Sequence, residues 1–384
     1  MIANALTYEQ GEIRNLAKKF AKEKFSENTI LDLENRYEFP KEIFDEAGKL
    51  GFFGIPYPLE YGGLGSGLFT KILTLEEFCR KDSSLGIALG LIDIGTELIM
   101  KFGSKKQKEK YLRPVSEGKA ISAIIPAMDG VKEKDYSDFT LSKTNEHGYK
   151  LNGYKDFVLN GSFAKFFIVE CEELNKNDNK RKRMFSIIRR DSEGLDIYEA
   201  TKRLGLRMVP WNSIKMKDVF VSHNDIFAKD NNHAEIHKEY ILVSMVKTGA
   251  QSLGISQGAF ERSLVYAKQR EQFKRKIASF QGIRHKLVDM YIKIKALQLM
   301  IYNAARRYDN DELTIADAIS ANTFAQATAV EVTDEALQIF GGSGYMVEMP
   351  IEHFYRDARA IRTIIGRQLY QKDAIALSVL NNIL

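Results

Sequence analysis

The period of the apolar residues changes twice along this 384-residue chain, and those two changes constrain its fold more than any single motif. Up to residue 118 the spacing is helical. Tyr8 to Glu27 opens after Thr7, an N-cap candidate, and carries Ile13, Leu16, Phe20 and Phe25 along one apolar face. Lys41 to Leu50 starts after Pro40. The segment IPYPLEYGGLGSG (55–67) then breaks any regular element with its glycines and prolines. Helical spacing resumes over Ile72–Cys79, Leu85–Phe102 and Lys105–Ser116.

From Ala120 to Asp230 short segments rich in β-branched and aromatic residues take over: AISAII, FTLSKT, GYKLNGYKDFVLNG, KFFIVEC, RMFSIIRR and SIKMKDVFV. Turn residues such as His147-Gly148 and Asn152-Gly153 separate or interrupt them, which predicts antiparallel strands. The charged run EELNKNDNKRKR (172–183) reads as a solvated hairpin loop. After His237 the spacing returns to i, i+3, i+4 in four long stretches, Ile241–Arg270, Phe280–Arg307, Leu313–Phe340 and Ile351–Leu384, the pattern of an up-down bundle. The expected fold class is α+β: an N-terminal α-helical domain (1–118), a middle antiparallel β-domain (119–232) and a C-terminal four-helix bundle (233–384).

Composition narrows the function classes. Two cysteines, Cys79 and Cys171, exclude a disulfide scaffold and any Cys-based zinc module, and six scattered histidines give no metal site. The 56 Lys and Arg against 51 Asp and Glu leave a net charge of +5, suited to an anionic ligand such as a nucleotide but too interspersed for nucleic acid. The longest apolar stretch, 84–100, is interrupted by Asp93 and Glu97 and predicts no membrane span. The N-terminal residues lack the apolar core of a signal peptide, so the expected location is cytoplasmic. No nucleophile elbow, P-loop, HExxH or GxGxxG motif is present.

Three other segments carry a resemblance. QGAFERSLVYAKQREQFKRKIASFQGIRHKLVDM (257–290) places Tyr266, Ala267, Arg270, Gln272, Phe273, Ile277, Phe280, Gln281, Ile283, Lys286, Leu287, Asp289 and Met290 at the spacing of the acyl-CoA dehydrogenase signature. DEALQIFGGSGYMVEMPIEHFYRDAR (334–359) and IPYPLEYGGLG resemble two further motifs of that family, and the order of domains agrees. The resemblance implies an oligomer with FAD between β-domain and bundle. It also implies an acyl-CoA or acyl-carrier-protein thioester as substrate, a glutamate that removes the α-proton, and an electron-transfer flavoprotein or similar acceptor. A carboxylate base in a dry pocket, with hydrogen bonds to the thioester oxygen, is what such weakly acidic protons require.

The sequence departs from the family where that chemistry should sit. The glutamate position after Y-R-D-A-R is Ile365, and the earlier position used by some relatives is Ser244. The flavin-holding loop corresponds to IIPAMDGVKEKD (124–135), with only its proline recognisable. The flavin-covering strand is FVLNG (157–161), where Phe157 can stack but Leu159 offers only backbone, and a threonine of the pattern is Arg367. By the same resemblance, those lost groups touch the FAD of their own subunit. The retained Arg270, Gln272, Phe273, Gln338, Gly341 and Gly342 match residues that reach the FAD of the neighbouring subunit.

That asymmetry predicts a subunit lacking the base, paired with a related subunit in a heteromer. Ordinary divergence of a homomer, a family reductase or monooxygenase without that glutamate, and a non-catalytic scaffold subunit stand beside it. Asp93 is the one candidate for a substitute base, because it interrupts an apolar run where burial would raise its pKa, against its reading as a solvent-facing or N-capping residue. Trp211 lines the site or packs, Arg356 and Asp357 read as an internal ion pair or a helix contact, and His285 and His353 as surface or satisfied histidines.

Overall fold

A computed structural model describes residues 6–126, 138–144, 148–173, 182–199, 201–227, 233–364 and 368–383. The first part is helical: α1 (Tyr8–Lys24), α2 (Glu27–Arg36), α3 (Lys41–Lys49), α4 (Gly67–Lys81), α5 (Ser83–Gly90), α6 (Thr96–Phe102) and α7 (Lys105–Ser116). Thr7 caps α1 with a reciprocal bond to Gln10, and Ser104 does the same for α7 with Gln107.

The helix expected over Leu85–Phe102 is two helices. The chain turns through 91–95 and restarts at Gly95, whose φ of +87° is left-handed and whose missing Cβ leaves room for Ile124. Asp93 sits in this turn rather than on a helix face.

The middle part is an eight-stranded sheet of β1 (Ser122–Ile125), β2 (Phe139–Lys143), β3 (Gly148–Leu159), β4 (Phe166–Glu173), β5 (Lys182–Arg189), β6 (Leu195–Ile197), β7 (Trp211–Ser222) and β8 (Ile226–Phe227). Strand order is β6-β7-β3-β2-β4-β5-β8, with β1 also on β4. The sheet is mixed rather than antiparallel: β1 and β2 both pair with β4 in parallel, in the registers Ser122↔Phe166 and Thr140↔Glu172. Residue composition marks strands but not their direction, so this difference was beyond the pattern. Strand β4 is buried along its whole length because both of its faces are covered. Phe166 and Ile168 join the helical core, and Phe167, Val169 and Cys171 join a second core on the other side of the sheet.

The last part is α8 (His233–Gln269), a two-stranded hairpin of β9 (Glu271–Gln272) and β10 (Arg275–Lys276), α9 (Gln281–Asp309), α10 (Ile315–Phe340), α11 (Ile351–Ile361) and α12 (Gln368–Ile383). The fourth helix of the expected bundle is thus divided into α11 and α12. One apolar core runs from Phe20 and Phe78 in the first part to Leu297 and Phe354 in the last. Helix α8 crosses α4 closely enough that a Cβ on Gly254 would stand 2.4 Å from the Glu76 carbonyl oxygen.

Polar ties fasten the parts together. Asp357 accepts hydrogen bonds from Ser83 Oγ (2.7 Å), Ser84 Oγ (2.6 Å) and the Leu206 amide (2.6 Å). Burial and the neighbouring Glu34 push its carboxyl up to about 6. Arg356 bonds Glu352 (2.6 Å) and Glu34 (2.9 Å), so these adjacent residues each take partners elsewhere instead of forming one ion pair. His353 is buried against Asp82 at 2.8 Å.

Candidate functional site

Six of the residues singled out in the sequence meet at one end of the helical bundle. Tyr266, near the end of α8, stacks on Phe340 at the end of α10 with centroids 4.2 Å apart and planes 15° from parallel. That contact sets the β9–β10 hairpin beside the glycine turn that follows α10. Arg270, Gln272 and Phe273 lie on the hairpin, and Gln338, Gly341 and Gly342 on the other side, all exposed. The two central hairpin residues, Phe273 and Lys274, have φ of 52° and 63°. A two-residue hairpin needs this left-handed pair to match strand twist, yet neither residue is glycine or asparagine. The strain holds Phe273 out at 87% exposure. Arg270 has no side-chain partner among the described residues, and added Cβ atoms at Gly341 and Gly342 would meet nothing within 4 Å. A cation, an exposed ring and bare backbone together form a surface suited to a flat anionic ligand.

Phe157 lies elsewhere, on β3 of the sheet. It occupies a register shift between Lys155 and Val158, with φ of 60° and a half-exposed ring. Its ring stands edge-on to Trp211 of β7, 6.4 Å between centroids. The indole N–H of Trp211 is buried and has no partner among the described residues. An exposed ring beside an orphaned donor fits a planar heteroaromatic ring with acceptor atoms.

Asp93 opens onto a third region, a cleft of about 320 Å³ between α4, the 93–101 segment, α8 and the end of α9. Its carboxylate is buried and holds two ammonium groups, Lys247 at 2.5 Å and Lys71 at 3.3 Å. Burial would push this carboxyl up, but Lys247 and Lys71 more than offset that and hold it below the ordinary aspartate range. The raised pKa expected of Asp93 is therefore corrected: an ion-paired carboxylate binds protons less readily, which weakens it as a base.

Glu97, four residues on, has the property sought in Asp93. It is half-buried on the same cleft, burial is the largest influence on it, and the nearby Asp93 and Glu239 add to the effect. Its carboxyl is pushed up to about 7. A group whose folded pKa exceeds its unfolded one stabilises the fold while protonated, fully at low pH, and that stability is lost as pH rises through 7. Glu97→Gln is thus expected to raise unfolding free energy by about 3 kcal/mol near pH 8 and leave it almost unchanged near pH 4, read by urea unfolding. Lys71 and Lys247 carried a signal in the sequence, since each is a lone lysine inside an apolar run (GLFTKILTL and ILVSMVKTG). Pairing both with Asp93 required the tertiary fold, because Lys247 is 154 residues away.

Ser244 is buried on α8, one turn after the buried Tyr240. Ile365 and Arg367 lie outside the described residues, as do most of the 124–135 loop and the middle of the 172–183 run. Among the described residues no group of His, Cys, Asp or Glu could hold a metal ion, and no helix is long and apolar enough to cross a membrane.

Models of the acyl-CoA dehydrogenase N-terminal, middle and C-terminal domains match residues 7–119, 132–219 and 239–380. The chain is 34% identical to a 3-(aryl)acrylate reductase of Clostridium sporogenes over 96% of its own length and 97% of that protein's. It is 30% identical to the caffeyl-CoA reductase-Etf complex subunit CarC of Acetobacterium woodii, covering 95% and 96% of the two chains. Butyryl-CoA dehydrogenase of Megasphaera elsdenii superposes with a TM-score of 0.91 at 28% identity, over 98% of this chain and 99% of that one. With all three domain models in register and near full-length relatives, this chain belongs to the acyl-CoA dehydrogenase family.

Proposed function

We propose that this chain is one subunit of an FAD-dependent oxidoreductase acting at the α,β-bond of an acyl thioester, and that it completes the flavin site of a related subunit. The observation that carries this reading is the exposed surface joining the β9–β10 hairpin to the glycine turn after α10. Among the described residues nothing covers Arg270, Phe273, Gly341 or Gly342. Arg270 would offset a phosphate charge, Phe273 and Gln272 would pack and bond the cofactor, and the bare glycine backbone would let it approach closely. Phe157 and the Trp211 indole N–H are the groups this chain offers from its sheet side. When bound, the flavin would supply the hydride acceptor that amino acids lack.

The proton side of the chemistry is where the partner enters. Asp93 is committed to two lysines, and neither Ser244 nor Ile365 has a carboxylate. A base from a related subunit fills that gap. Helix α9 also presents Val288, Tyr291, Ile292 and Leu299 to solvent at helical spacing, an apolar stripe suited to a second subunit. Electrons would then pass to or from an electron-transferring flavoprotein, as in the complex named for the Acetobacterium relative. A second reading, net reduction of an enoyl substrate, draws on the names of three relatives, an arylacrylate, a caffeyl-CoA and an acryloyl-CoA reductase.

An anaerobic titration with acyl-CoAs and their enoyl counterparts tests the proposal. Bleaching of bound flavin by a saturated thioester is expected only when a glutamate-bearing relative is present in the complex. Full bleaching of the chain on its own would overturn the base-lacking assignment. Reoxidation of reduced flavin by an enoyl thioester, without bleaching by the saturated one, would select the reductase reading.

A further inference from the structure

The cleft beside Asp93 carries a charge imbalance that the flavin chemistry does not use. Its inner wall holds two ammonium groups, Lys71 and Lys247, and one carboxylate within ion-pair distance of them, Asp93. Lys71 also donates to the Phe52 carbonyl at 3.3 Å. Lys247 makes no bond but the one to Asp93 among the described residues, although its side chain is only 10% exposed. An ammonium group has three donors, so two of them line the cleft without an acceptor. Leaving buried donors of a charged group unmet is costly.

Glu97 does not fill the gap. It lies on the same wall, yet no cation among the described residues is within ion-pair distance of its carboxyl, Lys247 acting on it from further away. The other charged groups on the cleft are already engaged or exposed. Glu239 is held by Lys101 at 2.7 Å and by the Tyr308 hydroxyl. Asp309 caps α4 through the Leu68 and Phe69 amides at 2.7 and 2.9 Å, and Asp311 is exposed. The Tyr57 hydroxyl is bonded to Thr96 Oγ1, which itself donates to the Asp93 carbonyl.

We infer that this cleft binds a small monocarboxylate with an apolar body, its carboxylate received by the free donors of Lys247 and its body lying against Leu68, Met100 and Val243. The volume of about 320 Å³ is at the small end of ligand pockets. One added negative charge balances two lysines against Asp93. A second would face Glu239, Asp309 and Asp311 on the same lining, so dicarboxylates and phosphate are disfavoured. An ionised Glu97 would repel the ligand, whereas a protonated one can donate a hydrogen bond to it. Binding therefore draws a proton onto Glu97, with Lys247 working against this and Asp93 and Glu239 for it.

The test is isothermal titration of the full chain with benzoate and hexanoate, with succinate and inorganic phosphate as comparisons, near pH 6 and near pH 8. One saturable site is expected for benzoate or hexanoate. Its affinity should be about tenfold weaker near pH 8, the change that one proton on a group titrating near 7 produces. Glu97→Gln should bind equally at both pH values. Lys247→Met should lose the site while keeping the fold, because Lys71 and Asp93 remain a balanced pair. No saturable binding of either probe, an affinity independent of pH in the unaltered chain, or equal binding of succinate or phosphate would each overturn the assignment. Should Lys247→Met fail to fold, the pH dependence of the unaltered chain against Glu97→Gln decides alone. The site does not depend on flavin, so its failure would leave the flavin assignment standing.

Discussion

Asp93→Asn is expected to cost about 3–5 kcal/mol of unfolding free energy, measured by urea denaturation near neutral pH. The side chain keeps its shape in this variant, so packing changes little. What is lost is the one carboxylate among the described residues within ion-pair distance of two buried lysines, at 2.5 and 3.3 Å. Removing one member of a buried ionic cluster leaves the remaining charges desolvated and unpaired, which costs far more than the pairing contributes. Lys247→Met serves as the control, because one lysine and one aspartate remain matched, and a loss well below that of Asp93→Asn is expected. A catalytic base would give the opposite signature, with flavin reduction abolished and stability unchanged. Asp93 thus ties α4, the turn at 91–95 and α8 together, and its place in an apolar run is explained by its partners.

Arg270→Ala is expected to weaken flavin binding by the assembled complex about 10–100-fold, since a charge-assisted hydrogen bond contributes about 1.5–3 kcal/mol. Arg270 is exposed and has no side-chain partner among the described residues, so its removal disturbs no internal contact. Thermal stability without flavin should be unchanged, which separates a cofactor contact from a folding defect. Phe157→Ala should have a much smaller effect on flavin retention if this chain mainly serves its neighbour's site. Equal losses from the two variants would mean that the chain also holds a flavin of its own. The comparison is read as flavin remaining after gel filtration of each complex.

The helices were legible because their apolar residues repeat with helical period, and Arg270, Gln272 and Phe273 because they keep the spacing of a family signature, whereas the hairpin that carries them at 271–276 was not. Three features escaped for physical reasons. The break at 91–95 lies inside a largely apolar stretch, where Gly95 and its left-handed φ mark the turn. The parallel pairing of β1 and β2 with β4 depends on chain direction, which alternation of side chains does not encode. The sign of the shift at Asp93 depends on Lys71 and Lys247, which burial logic applied to a single residue cannot supply. That logic does describe Glu97, which has no paired cation among the described residues. The two acidic residues of the same run therefore part company because, among the described residues, the fold brings lysines within ion-pair distance of only one of them, Lys247 acting on Glu97 from further away.

The central claim is that the flavin surface at the bundle end of this chain is completed by another subunit. Flavin stoichiometry tests it most directly, from visible absorption together with the mass of the assembly, for the chain purified alone and with a related subunit bearing the glutamate. The account predicts well below one flavin per chain for the protein alone, and about one flavin per pair once the two are joined. A homotetramer of this chain alone, carrying a full complement of flavin, would contradict it.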